Sequence, residues 1–189
     1  MHKHIAVAAI AWLSLTGASM ADETPLSVSA TVQDANTQLD VRWTITNRGS
    51  QPVWALLTPM RHNDKPAKET VYLSLGADGV AELALKAFAV PPGVNPAALD
   101  KIGAVVLAPG QQVTGSGHVP YPLQTRQPYQ SGQALKPSVR QARLCVGFVP
   151  VGSAIPVSSQ QANGAPVTYH DARTVAVQQV ACSPLVNWR

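Results

Sequence analysis

Histidine is the side chain best suited to proton transfer near neutral pH, and beyond residue 21 the chain has three: His62, His118 and His170. Gly115-Ser116-Gly117-His118 places a hydroxyl close to an imidazole, a pair that serine hydrolases use together with an orienting acid. That motif needs a turn from a strand into a helix, whereas these residues lie in a predicted strand with no helix after it. His170 is followed by Asp171, but neighbouring side chains of an extended chain point apart. We therefore predict no catalytic residues and no enzyme.

Metal ligands are equally scarce. Met60-Arg61-His62 brings two ligand types for copper close together, but Met60 is the only methionine after residue 20. Zinc needs three or four histidine, cysteine or carboxylate ligands, and the two cysteines of the chain are expected to be bonded to each other. The sequence therefore predicts neither a metal site nor a cofactor.

The two cysteines, Cys145 and Cys182, predict one disulfide, because an even number of cysteines in an exported protein usually pairs. Between them, Asn163-Gly164 is a strong signal for a two-residue turn. The cysteines lie at equal distances on either side of that turn, so a hairpin closed by it sets Cys145 opposite Cys182, within disulfide reach. Prolines on both arms remove ladder donors, which predicts that the pairing is interrupted in between.

The segment from 119 to 129 interleaves prolines with Tyr121, Arg126 and Tyr129. Exposed tyrosine and arginine side chains are frequent contact residues of interfaces, so these three form the candidate binding surface. The alternative is an extended connector whose tyrosines pack on the body of the protein.

β-Strands must position these residues. Leu39, Val41, Trp43 and Ile45 alternate with polar residues, which predicts a strand with one buried and one wet face. Residues 26–32 alternate in the same way, and turn signals separate further alternating runs. The turn signals are Asp34-Ala35-Asn36, Asp78-Gly79 and Pro109-Gly110.

About nine short strands result, the last two over 139–149 and 174–181, with no sustained helical stripe. Segments 91–103 and 119–137 are rich in proline and small residues, which predicts loops or edge segments. The fold class is therefore all-β, with two sheets packed as a sandwich.

The N-terminus has the form of a signal peptide covering residues 1–21. A short basic start precedes an apolar stretch over 5–15, and a small-x-small cleavage site ends at Ala21. The apolar stretch is shorter than the roughly 20 residues that cross a bilayer, and no later stretch approaches that length. We expect a periplasmic protein that does not span the membrane, with one domain over residues 22–189.

Charge is unevenly distributed after residue 21. Residues 22–100 carry six basic and nine acidic side chains, and residues 101–189 carry seven basic and one acidic. Such asymmetry can mark an anionic partner, but no run of adjacent lysine or arginine residues occurs. Together with export, this argues against a nucleic-acid partner.

Residues 39–57 resemble the second and third strands of bacterial exported immunoglobulin-like domains. The resemblance lies in Ile45-Thr46-Asn47, Gly49-Ser50 and Pro52-Val53-Trp54, and Leu107-Ala108-Pro109-Gly110 is similar to the entry into another of their strands. It implies a single immunoglobulin-like β-sandwich and no particular activity. Periplasmic pilus chaperones also use this fold, but they have two such domains, and this chain has room for one.

Three functional hypotheses follow. The leading one is a non-catalytic binding protein of the cell envelope, which contacts another protein through an exposed sheet edge or the 119–129 segment. The second is a binder of carbohydrate or of an anionic envelope polymer, which uses Tyr121, Arg126 and Tyr129. The third is a hydrolase whose active-site residues the sequence does not identify.

Overall fold

The computed structural model describes residues 24–59, 71–76, 78–130, 132–136, 138–153, 158–162 and 165–188. The predicted signal peptide and the Met60-Arg61-His62 group lie outside the described residues. Within them the chain forms twelve strands and one short 3-10 helix, η1. In chain order these are β1 (Leu26–Asp34), β2 (Gln38–Asn47), β3 (Val53–Pro59), β4 (Tyr72–Leu75), β5 (Ala81–Leu85), β6 (Lys101–Leu107), β7 (Gln112–Pro120), β8 (Gln141–Pro150), β9 (Ser158–Ala162), β10 (Ala165–Asp171), η1 (Ala172–Ala176), β11 (Gln179–Cys182) and β12 (Val186–Asn187).

The fold is all-β, which confirms the predicted class, and no described helix is long and apolar enough to cross a bilayer. The described residues form more strands than the roughly nine expected from the spacing of turn signals. The three unforeseen strands gave weak signals. β9 has no large apolar residue, β12 is two residues long, and β10 contains Pro166, which argues against a strand.

The strands form two sheets. The smaller sheet has three antiparallel strands in the order β1-β2-β7. The larger has nine, with β4-β5-β8-β3-β6-β10-β9 across the sheet and with β11 and β12 also paired to β8. Ala142 of β8 pairs with Ala81 of β5 and with Val186 of β12, so these two strands lie along opposite edges of β8.

Side chains from both sheets share one hydrophobic core. Leu39, Val41 and Ile45 of β2 are 1% or less exposed, which confirms the burial predicted from their period of two. They belong to the same cluster as Leu144 and Phe148 of β8. The smaller sheet therefore turns one face toward β8, and the alternate positions of its strands lie on the opposite, outer face.

Three of the predicted turn signals are confirmed, and the fourth, Asn163-Gly164, lies outside the described residues. Asn36 and Gly79 have positive φ angles of 65° and 76° at the reversals between β1 and β2 and between β4 and β5. Gly110, with a φ of 77°, leads from β6 into β7, and its amide donates to the Asn47 carbonyl. β6 and β7 nevertheless belong to different sheets, so this turn carries the chain from one sheet to the other.

The disulfide between Cys145 and Cys182 is confirmed, with the two Cα atoms 4.0 Å apart on the neighbouring strands β8 and β11. The predicted register is also observed. The β9–β10 ladder, in which Ala162 faces Ala165, follows the same register as the β8–β11 ladder, although residues 163–164 themselves lie outside the described residues. The pairing is interrupted between the two ladders, where η1 separates β10 from β11.

The strand predicted over 174–181 is wrong in its first half, where η1 spans Ala172–Ala176. The Asp171 carboxylate accepts from the Arg173 amide at 2.9 Å, and the Thr174 carbonyl accepts from the amides that follow the helix. These local hydrogen bonds satisfy backbone groups without a strand partner. Only Gln179–Cys182 is extended, opposite β8.

Candidate functional site

The two tyrosines predicted as binding residues are attached to the body of the protein. The Tyr121 hydroxyl donates to Asp34 Oδ2 at 2.9 Å. The Tyr129 hydroxyl accepts from the Asp100 amide at 2.5 Å. Burial raises the pKa of both phenols. Each hydroxyl thus has an internal hydrogen-bond partner, as expected for a connector whose tyrosines pack on the body.

Arg126 is the exposed member of the predicted trio. Its backbone amide donates to the Leu73 carbonyl at 2.7 Å, and its carbonyl accepts from the Leu73 amide at 2.9 Å. This bridge places the 119–129 segment along the outer edge of β4. The three residues therefore contact three different parts of the fold: the end of β1, β4, and the residue before β6.

The histidines do not come together. His118 lies on β7 of the smaller sheet, opposite Asp40 of β2. His170 lies on β10 of the larger sheet, where it is 1% exposed, and burial lowers the pKa of its imidazole. Its Nδ1 is 3.3 Å from the Thr174 hydroxyl. Among the described residues, no three histidine, cysteine or acidic side chains are arranged to hold a metal ion.

The outer face of the smaller sheet is rich in hydroxyl groups. Its central side chains line a shallow depression of about 650 Å³. They form two rows across the three strands, Ser29–Thr44–Thr114 and Thr31–Arg42–Ser116. We name these six side chains the hydroxyl face; all are exposed except Thr44, which is half-buried.

The chemistry of the hydroxyl face is hydrogen bonding rather than apolar contact. Hydroxyl groups both donate and accept, and the Arg42 guanidinium only donates. A second depression of about 180 Å³ adjoins the face and extends it to Asp40 and His118. The sequence contained a signal for this surface, namely the polar positions of the alternating strands, but not the alignment of the three strands.

β7 is an edge strand. The two ends of its ladder with β2 show which of its residues direct their backbone groups toward β2. The Asn47 amide donates to the Gln111 carbonyl at 2.9 Å, and the Tyr121 amide donates to the Thr37 carbonyl at 3.0 Å. In an antiparallel ladder, backbone groups alternate in direction from one residue to the next. The odd-numbered residues of β7 therefore bond to β2, and the even-numbered ones point to the other side.

We name the outward backbone groups of Gln112, Thr114 and Ser116 the open edge. In the described part of the chain β7 forms a ladder with β2 alone. The strand contains no lysine, arginine or acidic residue, and its one proline is the terminal Pro120. Charged residues, prolines and bulges are the usual means by which proteins protect sheet edges. The open edge lacks them along three consecutive outward positions.

The opposite edge of the smaller sheet is covered more fully. β1 packs across the core against β8, β11 and β12, whereas β7 makes its extensive contacts, among the described elements, with β2. In the larger sheet, the backbone of Arg126 occupies the edge of β4. Of the edge strands β1, β4 and β7, β7 is thus the one best placed to receive a further strand.

Known proteins give no guide to the use of this edge. No protein-family model matches the chain, and searches of curated proteins and of solved structures find no match either. Function is therefore inferred from the geometry of the described residues.

Proposed function

We propose that this chain is a non-catalytic binding protein of the bacterial periplasm, which takes up an extended segment of another envelope protein along the open edge of β7. The observation that carries the proposal is the set of three outward backbone positions with no strand beside them among the described residues. Addition of a strand to a sheet edge is a common mode of peptide recognition, in which backbone hydrogen bonds supply affinity.

The proposed compartment and fold agree with this role. A disulfide between adjacent strands is typical of exported proteins in an oxidising environment. The pairings β1-β2-β7 and β3-β8-β11 correspond to strands A-B-E and C-F-G of an immunoglobulin sandwich, which supports an immunoglobulin-like topology. In such a sandwich strand D lies beside strand E, and among the described residues no strand lies in that place next to β7.

The open edge and the hydroxyl face would act together. On β7, Thr114 and Ser116 direct their side chains to the outer face and their backbone groups to the open edge. An added strand would therefore place every second side chain beside these hydroxyl groups, at the distance of a cross-strand pair. We expect a bound segment whose outward side chains are polar.

Proline substitution tests the proposal. Thr114→Pro and Ser116→Pro each remove an amide that points away from β2, so the ladder that holds β7 is kept and the fold is spared. Each variant loses one intermolecular hydrogen bond and leaves one carbonyl of the bound segment without a partner. We expect binding to weaken by at least about tenfold. Thr114→Ser and Ser116→Thr are the matched controls, because they keep both the amide and the hydroxyl group.

The measurement is affinity capture from periplasmic extract, followed by hydrogen exchange on the captured complex. We expect a protein that the wild type and both control variants retain and both proline variants lose. Amides of Gln112, Thr114 and Ser116 should exchange more slowly in the complex. Retention by the proline variants, unchanged exchange at these amides, or capture of no protein would each contradict strand addition at β7.

A further inference from the structure

A third depression lies on the larger sheet, whereas the open edge belongs to the smaller sheet. It has a volume of about 620 Å³ and is lined by residues of the 125–130 segment and Gln133, by residues of β4, β5 and the 86–89 segment, and by residues that precede and begin β11. Its lining combines neutral polar and apolar side chains with one lysine and one glutamate. We name it the amide cleft, after Gln127, Gln130, Gln133 and Gln178, which line it together with Thr125 and Phe88.

The amides of Gln127 and Gln130 are hydrogen-bonded to each other and still have groups to offer a ligand. The Gln127 Nε2 donates to the Gln130 Oε1 across the turn that joins them. An amide side chain has two donor hydrogens and an acceptor oxygen. This hydrogen bond leaves the Gln127 carbonyl oxygen and the Gln130 amino group as an acceptor and a donor on one wall of the cleft.

Another part of the lining is fixed by Gln178 and by aromatic contacts. The Gln178 amide accepts from the Ala87 amide at 2.8 Å and donates to the Ala87 carbonyl at 3.2 Å. The next residue, Phe88, packs edge-to-face with Tyr72, with ring centroids 5.3 Å apart. The Tyr72 hydroxyl donates to Asp100 Oδ2 at 2.8 Å. Phe88 is therefore a supported aromatic surface beside polar groups, with Lys86 Nζ 5.5 Å from its ring centroid.

The charged side chains of the cleft neutralise each other. Lys86 Nζ and Glu82 Oε1 are 2.5 Å apart, so the lining carries no unbalanced charge from this pair. A strand cannot add here, because the backbone of Arg126 already occupies the edge of β4 at Leu73. The cleft therefore suits a neutral ligand that is recognised through its side groups and not as a β-strand.

We propose that the amide cleft binds a neutral saccharide. A sugar ring presents hydroxyl groups that both donate and accept, which matches paired amide groups, and apolar C–H surface, which matches Phe88. Pockets with an apolar surface and a few fixed polar groups are typical of small-ligand sites. This site is separate from the open edge and needs neither the strand addition proposed above nor the exposed Arg126.

The test applies the labelled full-length secreted protein to an array of immobilised neutral and acidic oligosaccharides, and titrates the retained saccharide by calorimetry. Gln127→Ala and Gln130→Ala each remove one amide of this hydrogen-bonded pair, and we expect at least about tenfold weaker binding for each. Phe88→Leu keeps apolar volume and removes the ring, and should also weaken binding. Gln33→Ala, an exposed glutamine on β1, is the matched control and should bind like the wild type.

Three results would overturn the proposal: retention of no neutral saccharide, retention of acidic saccharides alone, or equal affinity of Gln127→Ala, Gln130→Ala and the wild type. Ser116→Pro separates the two sites, because it should bind saccharide normally while losing its protein partner. If that variant loses neither ligand, strand addition at β7 fails and the saccharide site stands. If the wild type retains a protein through the amide cleft and no saccharide, the ligand class is wrong.

Discussion

Removal of the disulfide should cost the protein a large part of its stability. Cys145 is buried on β8, the strand that pairs with β5, β3, β11 and β12, and the bond fixes β11 beside it. The Cys145→Ala/Cys182→Ala variant keeps the chain otherwise unchanged. The loop that the bond closes is then unconstrained. Its ends are 37 residues apart in the sequence, and it contains β9, β10 and η1.

The magnitude follows from the length of that loop. With a separation of 37 residues, the chain-entropy relation gives a destabilisation of about 4 kcal/mol at 25 °C. Natural domains have a total stability of about 5 to 15 kcal/mol, so the loss is a quarter or more of the whole. For a domain of this size, each kcal/mol lowers Tm by about 2 to 4 °C, which predicts a Tm lower by about 8 to 16 °C.

The assay is urea unfolding followed by circular dichroism, on the oxidised wild type, the reduced wild type and the double alanine variant. The reduced wild type has the same sequence as the oxidised form, so it controls for the change of side chain. We expect both unbonded forms to lose similar free energies of unfolding. A loss below about 1 kcal/mol in both would refute the assignment of this stability to loop closure.

Three further predictions concern single residues, each measured by urea unfolding. Gly115→Ala places a Cβ atom 2.6 Å from Cζ2 of Trp43 and should lower the free energy of unfolding by about 1 to 3 kcal/mol. Trp43→Phe in the same chain should restore part of this loss. An unchanged free energy of unfolding in Gly115→Ala would show that the indole moves freely. Asn47→Ala removes a fully buried amide that donates to the Leu107 and Gln51 carbonyls at 2.8 Å. It should lower the free energy of unfolding by roughly 2 to 4 kcal/mol. A loss below about 0.5 kcal/mol would contradict this role. Burial lowers the pKa of His170, so as the pH falls below about 6.5 this histidine is protonated in the unfolded chain before it is protonated in the native protein. The free energy of unfolding should therefore fall by up to about 1.4 kcal/mol per pH unit. His170→Gln should flatten this part of the pH profile between 7 and 5, and an unchanged slope would exclude the histidine as its source.

Local signals in the sequence predicted much of the fold. Alternation at every second residue marked β1 and β2 and chose their buried faces, since a strand directs successive side chains to opposite sides. Asn36, Gly79 and Gly110 marked turns because positive φ angles suit glycine and asparagine. The disulfide followed from the even number of cysteines, and its register followed from the spacing of Cys145 and Cys182 around one turn signal.

The candidate sites could not be predicted in this way. Alternation predicts a strand over β7 but not the strand that lies beside it, because pairing partners are remote in sequence and are selected by the packing of the whole core. The same holds for Tyr121 and Tyr129, whose hydroxyls bind Asp34 and the Asp100 amide, far away in the chain.

The sequence by itself determined the strand class, the turns, the paired cysteines and the faces that must be buried, because each depends on a few neighbouring residues and on the geometry of one extended chain. Only the tertiary structure decided which edge of the smaller sheet is left open and which glutamines meet around a cleft. Those features arise where the two sheets end and where distant segments are brought together, and long-range packing, not local periodicity, sets both.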